Sequence, residues 1–232
     1  PPVHAWSVWR VFQIDRKQRR VAHPQDPGDL AFLERIFHKL ILNFTWWVNR
    51  KDAQGRNIFQ GGFLGLDNIG VFDRSAPLPT GGHLDQADGT AWMVFFSQQM
   101  LHIAVELALH DQLYEEFVEK FFQHTLYIAG AMDRVGDRQD EMWDEDDGFY
   151  YDVLRLPDGS ATRLKVRSIV GLLPLAAAAV FEEDILEKLP RFRARAQQFM
   201  RRYPELTAGV HLPQMPGVAR RRMLAIVDET KL

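Results

Sequence analysis

One carboxylate sits in an unusual setting. Asp67 lies within GGFLGLDNIGVFDRS, residues 61–75, among Phe63, Leu64, Leu66, Ile69, Val71 and Phe72, with glycines at Gly61, Gly62, Gly65 and Gly70. Burying an aspartate beside aliphatic and aromatic groups disfavours its ionised form. A carboxylic acid kept protonated near neutral pH can hand a proton to a departing oxygen, which is general-acid chemistry. The glycines permit positive φ and let a ligand approach the main chain. The same residues also describe a plainer object, a buried turn whose Asp67 caps a helix or accepts backbone N–H groups.

Other polar groups offer weaker candidates. Asp73, next to Arg74, reads as that arginine's ion-pair partner or as a cap near the loop end. In LDQADGTAWM, residues 84–93, Asp85 or Asp88 could cap a following helix by accepting its first N–H groups. The acidic stretch WDEDDGFYYD, residues 143–152, fails as a calcium loop. With Gly148 as the loop glycine, Trp143 falls at the first ligand position and Leu154 at the twelfth, where Asp and Glu are required. It reads instead as a loop of solvated or hydrogen-bonded acids, in which Trp143, Tyr150 and Tyr151 offer flat faces to a pyranose ring or simply fill core. Lys165, Arg167 and Ser168 follow, and Arg167 either reaches the site or pairs with the acidic loop. HExxH, GxSxG, GxxxxGK[ST] and GxGxxG are all absent, and His102, on an apolar stretch, reads as a core histidine.

Several stretches, in order, resemble glycoside hydrolase family 63 and its bacterial mannosyl-oligosaccharide glucosidase-like and mannosylglycerate hydrolase-like relatives. They are PPVHAW at 1–6, Trp46-Trp47-Val48-Asn49-Arg50, the Gly65-Leu66-Asp67-Asn68 context, LDQADGTAWM, WDEDDGFYYD and KVRSIVGLLPL at 165–175. The resemblance implies an inverting hydrolase acting on glucosides or short oligosaccharides, with Asp67 as the general acid and no cofactor. It places Gly65, Asn68, Gln86, Asp88, Trp92, Trp143, Tyr151 and Arg167 beside the sugar. It also places the general base, a Glu, far downstream, and nothing after residue 205 resembles that region. The isolated chain is therefore expected to be inactive. A rival from another class is a non-catalytic helical carbohydrate-binding or scaffolding module.

Composition narrows the field further. The 31 acidic against 28 basic residues provide no broad positive field for nucleic acid or an anionic membrane. The run Arg220-Arg221-Arg222 reads as the solvated face of a helix-like stretch. Cysteine is absent, which excludes disulfides and thiolate metal sites and accords with a reducing cytoplasm, where we expect the protein. No charged-then-apolar leader or membrane-length apolar run is visible. Both ends read as cut, so residues 1–232 are expected to be a single partial catalytic domain, truncated at both ends.

These residues must be held by helices. Apolar spacing predicts one-sided helices over 30–48, with Asp29 as N-cap, over 112–129, and over 184–202, the last divided by Pro190 and ended by Tyr203-Pro204. Roughly 3–14, 89–108 and 167–181 are apolar nearly all round and read as helices buried on every side. This alternation predicts an all-α fold, an α/α toroid of about three helical hairpins. By resemblance that is half of an (α/α)6 barrel, with an open edge prone to self-association. Short turns near 109–111 and 182–183 and long returns over 49–88 and 130–166 put Asp67 and Trp143–Asp152 on one face. The second return carries a β-hairpin, Phe149–Leu156 and Ala161–Val166 around Pro157-Asp158-Gly159.

Overall fold

The computed structural model describes residues 2–50, 55, 57–60, 65–133, 141–207, 210 and 217–232. Helix α1, His4–Ala22, is followed by α2, Leu30–Val48. The Asp29 carboxylate accepts the Phe32 N–H at 2.8 Å and so caps α2. Leu33, Phe37, Leu40 and Phe44 recur every three or four residues and form its buried stripe.

Helix α3, Ala87–Ala108, is the axis of the molecule. Every residue in it is buried except Trp92, Phe95 and His102. Two of its buried hydroxyls are satisfied within the helix. The Thr90 and Ser97 hydroxyls donate to the carbonyls of Gln86 and Met93, four residues back. Helix α4, Glu115–Asp133, packs along α3 after a 3-10 turn, Gln112–Tyr114, and Phe44 meets both Phe96 and Phe121 edge-on. Beyond α4 lies α6, Pro190–Arg202, preceded by the single turn α5, Ile185–Lys188, and joined to α4 through Phe122–Phe192 and Tyr127–Phe199. Pro190 opens α6 and Tyr203 closes it, as the sequence predicts.

The all-α toroid is not what forms. The chain is mixed α/β, with antiparallel sheets built into its second half and before α3. Strands β1 (His83–Asp85), β4 (Asp152–Arg155) and β5 (Ala161–Leu164) form one sheet in the order β1-β4-β5. The β4–β5 part is the expected hairpin, with Asp152 opposite Leu164, and β1 adds to it with His83 opposite Arg155. Strands β2 (Trp143–Asp144) and β3 (Phe149–Tyr150) pair across the acidic turn.

The expected third buried helix, 167–181, is replaced by a 3-10 helix, Ile169–Ala176, and strand β6, Ala178–Phe181, which pairs with β7, Arg222–Ala225. Pro174 lacks an N–H and clashes with an α-helical turn. A Cβ on Gly171 would fall 2.2 Å from the Phe149 ring and the Tyr150 carbonyl, so only glycine lets this segment lie so close to β3. The Gln98 side chain donates to the Ala177 and Leu224 carbonyls and ties the β6–β7 pair to α3. Arg220 ends a 3-10 helix, Val218–Arg220, and Arg220 and Arg221 are exposed, whereas Arg222 begins β7, which corrects the helix-like reading for that residue. Helix α1 is not buried all round either: Ala5 and Phe12 face inward while Trp6, Val11, Ile14 and Val21 are exposed.

Candidate functional site

The loop before β1 is organised by Arg74, whose side chain is 1% exposed. Its Nε donates to Asp152 at 2.7 Å, and its Nη2 pairs with Asp88. Its Nη1 donates to the Leu66 carbonyl at 2.8 Å. Its own N–H holds the Asp67 carbonyl at 2.7 Å, and its carbonyl accepts the Gln86 amide at 2.8 Å. Gly65, at φ +104°, turns the chain into this arrangement with a conformation that L side chains rarely adopt.

A cluster of one guanidinium and two carboxylates would carry a net buried negative charge. The start of α3 offsets it, because the Ala87 N–H donates to Asp152 at 2.9 Å and the Gly89 N–H to Asp88 at 2.8 Å. These are helix N-terminal amides with no intrahelical acceptor, at the positive end of a long helix. Burial pushes the Asp152 carboxyl above its usual range, while the Arg74 charge and the Ala87 amide pull it back. Burial alone would lower the Arg74 guanidinium, yet Asp88 and Asp152 outweigh it and hold the group charged.

Asp67 is half-buried, on the turn that Arg74 closes. Its neighbour Val71 is 66% exposed, so this side of the loop is less enclosed than its apolar sequence suggests. Gly61, Gly62, Phe63 and Leu64, the first part of the motif, lie outside the described residues. Among the described residues no side chain hydrogen-bonds or ion-pairs with the Asp67 carboxylate. The arginine seven positions on spends its guanidinium on Asp88, Asp152 and Leu66. A small cavity of about 20 Å³ lies behind the loop, lined by Phe72, Arg74, Tyr151 and Asp152 among others; Asp67 does not line it.

The remaining candidates divide clearly. Asp73 is not Arg74's partner; it accepts the Ser75 N–H and hydroxyl at 2.9 and 2.7 Å, and those bonds hold it below the usual carboxylate range. Asp85 pairs with Arg155. Gln86 and Asp88, each 1% exposed, belong to the Arg74 cluster. Trp92 is half-buried and edge-on to Phe95, while Asn68 is exposed. Trp143 and Tyr151 are core rings, 6% and 1% exposed. The Tyr151 hydroxyl donates to Asp147 at 3.1 Å and accepts from Arg167, which also reaches Asp147 at 3.2 Å. Arg167 thus pairs with the acidic turn. Lys165 bonds to Asp144 and Asp147, and these bonds are the largest influence lowering both carboxyls. His102 is stacked between Trp9 and Phe181 and, through burial and then the Arg10 charge, is lowered to about 4.

Sequence reasoning missed Arg74. Its partners lie 14 and 78 residues away, and the only available signal was a lone arginine inside an apolar, glycine-rich loop, which must find counter-charges if buried. Among the described residues no group of three or more His, Asp or Glu side chains could hold a metal ion. No described helix is long and apolar enough to cross a membrane.

No family model matches the chain. It is similar to a protein of Saccharomyces cerevisiae described as "Uncharacterized protein YMR196W", with 46% identity over 244 aligned residues. The alignment takes in all of this chain and 22% of that protein, so the chain spans about a fifth of the relative's length.

Proposed function

We propose that this chain carries the general acid of an inverting glycoside hydrolase that cleaves glucosides or short oligosaccharides as part of a longer polypeptide. The observation that carries the reading is the state of Asp67. Its backbone is fastened on both sides to a buried arginine, while its carboxylate is left without a cation or hydrogen-bond donor among the described residues. A carboxylate kept only for structure would be expected to cap or pair, as Asp73, Asp85, Asp88 and Asp152 all do. The toroidal fold lends the reading no support. What supports it is the order of the family-like motifs together with this geometry.

In the reaction, the Asp67 O–H transfers its proton to the glycosidic oxygen as the bond to the anomeric carbon breaks. Water adds to that carbon from the opposite face, and a second carboxylate about 6.5–9.5 Å away takes the water's proton. Asp88 and Asp152 are committed to Arg74 and do not serve as that base. The family resemblance, rather than the geometry, assigns the base to a Glu farther along the longer polypeptide, and on that reading the isolated chain is expected to turn over no glycoside. The burial of Gln86, Asp88, Trp143 and Tyr151 removes these expected sugar contacts from the hydrolase and from a purely carbohydrate-binding module alike.

The test is to express the longest natural polypeptide containing this sequence and follow glucoside and gluco-oligosaccharide cleavage by proton NMR. The first-formed sugar is expected with the anomeric configuration opposite to the substrate's. A retained configuration, or rapid hydrolysis of a nitrophenyl glucoside by the isolated chain, would remove the proposal.

A further inference from the structure

We infer that Arg74 is the positioning residue of the Asp67 acid, setting the direction in which its carboxyl points; this rests on the hydrolase reading above. The Leu66 carbonyl belongs to the peptide group before the Asp67 Cα, and the Asp67 carbonyl to the peptide group after it. Arg74 holds the first with Nη1 at 2.8 Å and the second with its own N–H at 2.7 Å. With both flanking peptide planes anchored by one residue, φ and ψ of Asp67 are constrained, and with them the Cα–Cβ bond that aims the carboxyl.

The anchor is itself immobilised. Its remaining guanidinium donors engage Asp152 on β4 and Asp88 in the first turn of α3, and its carbonyl takes the Gln86 amide. These contacts come from elements far apart in sequence, and the side chains of Arg74 and Asp88 are each 1% exposed. The arginine thus engages two consecutive main-chain carbonyls of a half-buried loop in addition to the two carboxylates.

The planar fork matters here. One guanidinium reaches Leu66, Asp88 and Asp152 at once, whereas a lysine ammonium is a single point donor on a flexible stem. Arg74→Lys keeps the positive charge against the two carboxylates but gives up the in-plane grip on Leu66. Misplacement of a catalytic group by about 1 Å can cost on the order of 100-fold in rate. The expected signature is therefore a fall in kcat of about 10- to 100-fold with KM within about twofold, because substrate binding is not what the fork controls.

The experiment uses the longest natural polypeptide, as wild type, Arg74→Lys and Asp152→Asn. Glucoside kinetics are combined with amide hydrogen exchange read on peptides from residues 65–76 and, as an internal control, from α4. The inference expects both variants to speed exchange in 65–76 at least about tenfold over α4 and to lower kcat with little change in KM. Exchange left at the wild-type rate overturns the inference. So does a loosened loop whose kcat per folded molecule is unchanged. A wild-type protein that cleaves no glycoside overturns the hydrolase reading itself, and the exchange arm then still decides whether Arg74 fixes Asp67.

Discussion

Lys231 gives a sharp test of the electrostatics at the far end of the chain. Its Nζ lies 2.7 Å from Asp133 at the end of α4, with side chains only 9% and 14% exposed, and it sits over the Trp143 and Tyr150 rings at 5.6 and 5.7 Å. Lys231→Met keeps much of the apolar stem and removes the charge, so the Asp133 carboxylate is left buried without its cation. Breaking a buried pair from one side costs about 3–5 kcal/mol. For a chain of this length each kcal/mol is worth about 2–4 °C in Tm, hence a fall of roughly 6–20 °C at pH 7.5. Burial already pushes the Asp133 carboxyl above its usual range, and Lys231 is the first of the groups pulling it down. Without Lys231 the native-state value rises further. A native value above the unfolded one means that the folded state holds the proton more tightly. Its stability is then greatest at low pH and is lost as pH rises through the native value. The destabilisation by Lys231→Met should therefore be large at pH 7.5 and clearly smaller at pH 4.5, measured by urea melts of wild type and variant at both. Equal losses at the two pH values, or a loss below about 1 kcal/mol at pH 7.5, would refute the reasoning.

Three further outcomes follow from the packing. Phe12 is fully buried beneath Trp9, and Phe12→Ala should cost about 3–5 kcal/mol in chemical denaturation, by leaving a cavity where α1 meets the core. His102 is held near 4, below its unfolded value of 6.5, so the folded state resists its proton and loses stability as pH falls between those values. His102→Phe should remove most of that acid sensitivity, about 3 kcal/mol between pH 6.5 and 4; an unchanged acid limb in pH-dependent melts would count against the sandwiched neutral ring. Gly65, at φ +104° with nothing among the described residues within 4 Å of a Cβ, should respond to Gly65→Ala through backbone strain, with a loss of about 1–3 kcal/mol in urea melts.

The parts legible from sequence were those whose signal is local. The stripe Leu33, Phe37, Leu40, Phe44, the Asp29 cap and the Pro190 start of α6 each follow from residues within a few positions of one another. The uniformly buried α3 was legible because a helix apolar on all sides has nowhere to go but inside. The segment 167–181 failed because a continuous apolar run does not distinguish a buried helix from a buried strand. Its strand pairing depends on β7, more than 40 residues later. Helix α1 misled for a related reason: apolar residues such as Trp6, Ile14 and Val21 mark potential burial, and here they remain exposed. At the candidate site, the sequence singled out the Asp67 loop through its glycines and apolar residues. The clamp was not, since Arg74, Asp88 and Asp152 meet only through the β1–β4 pairing and the docking of α3.

The central claim, that Asp67 is the proton donor, is tested most directly by leaving-group dependence in the longest natural polypeptide. General-acid catalysis contributes about 10²- to 10⁴-fold, and only where the leaving oxygen needs a proton. Asp67→Asn should lower kcat by that factor on an alkyl glucoside or disaccharide, yet leave a glucosyl fluoride or dinitrophenyl glucoside cleaved at nearly the wild-type rate. Equal losses on both kinds of substrate, or no loss on either, would contradict the assignment.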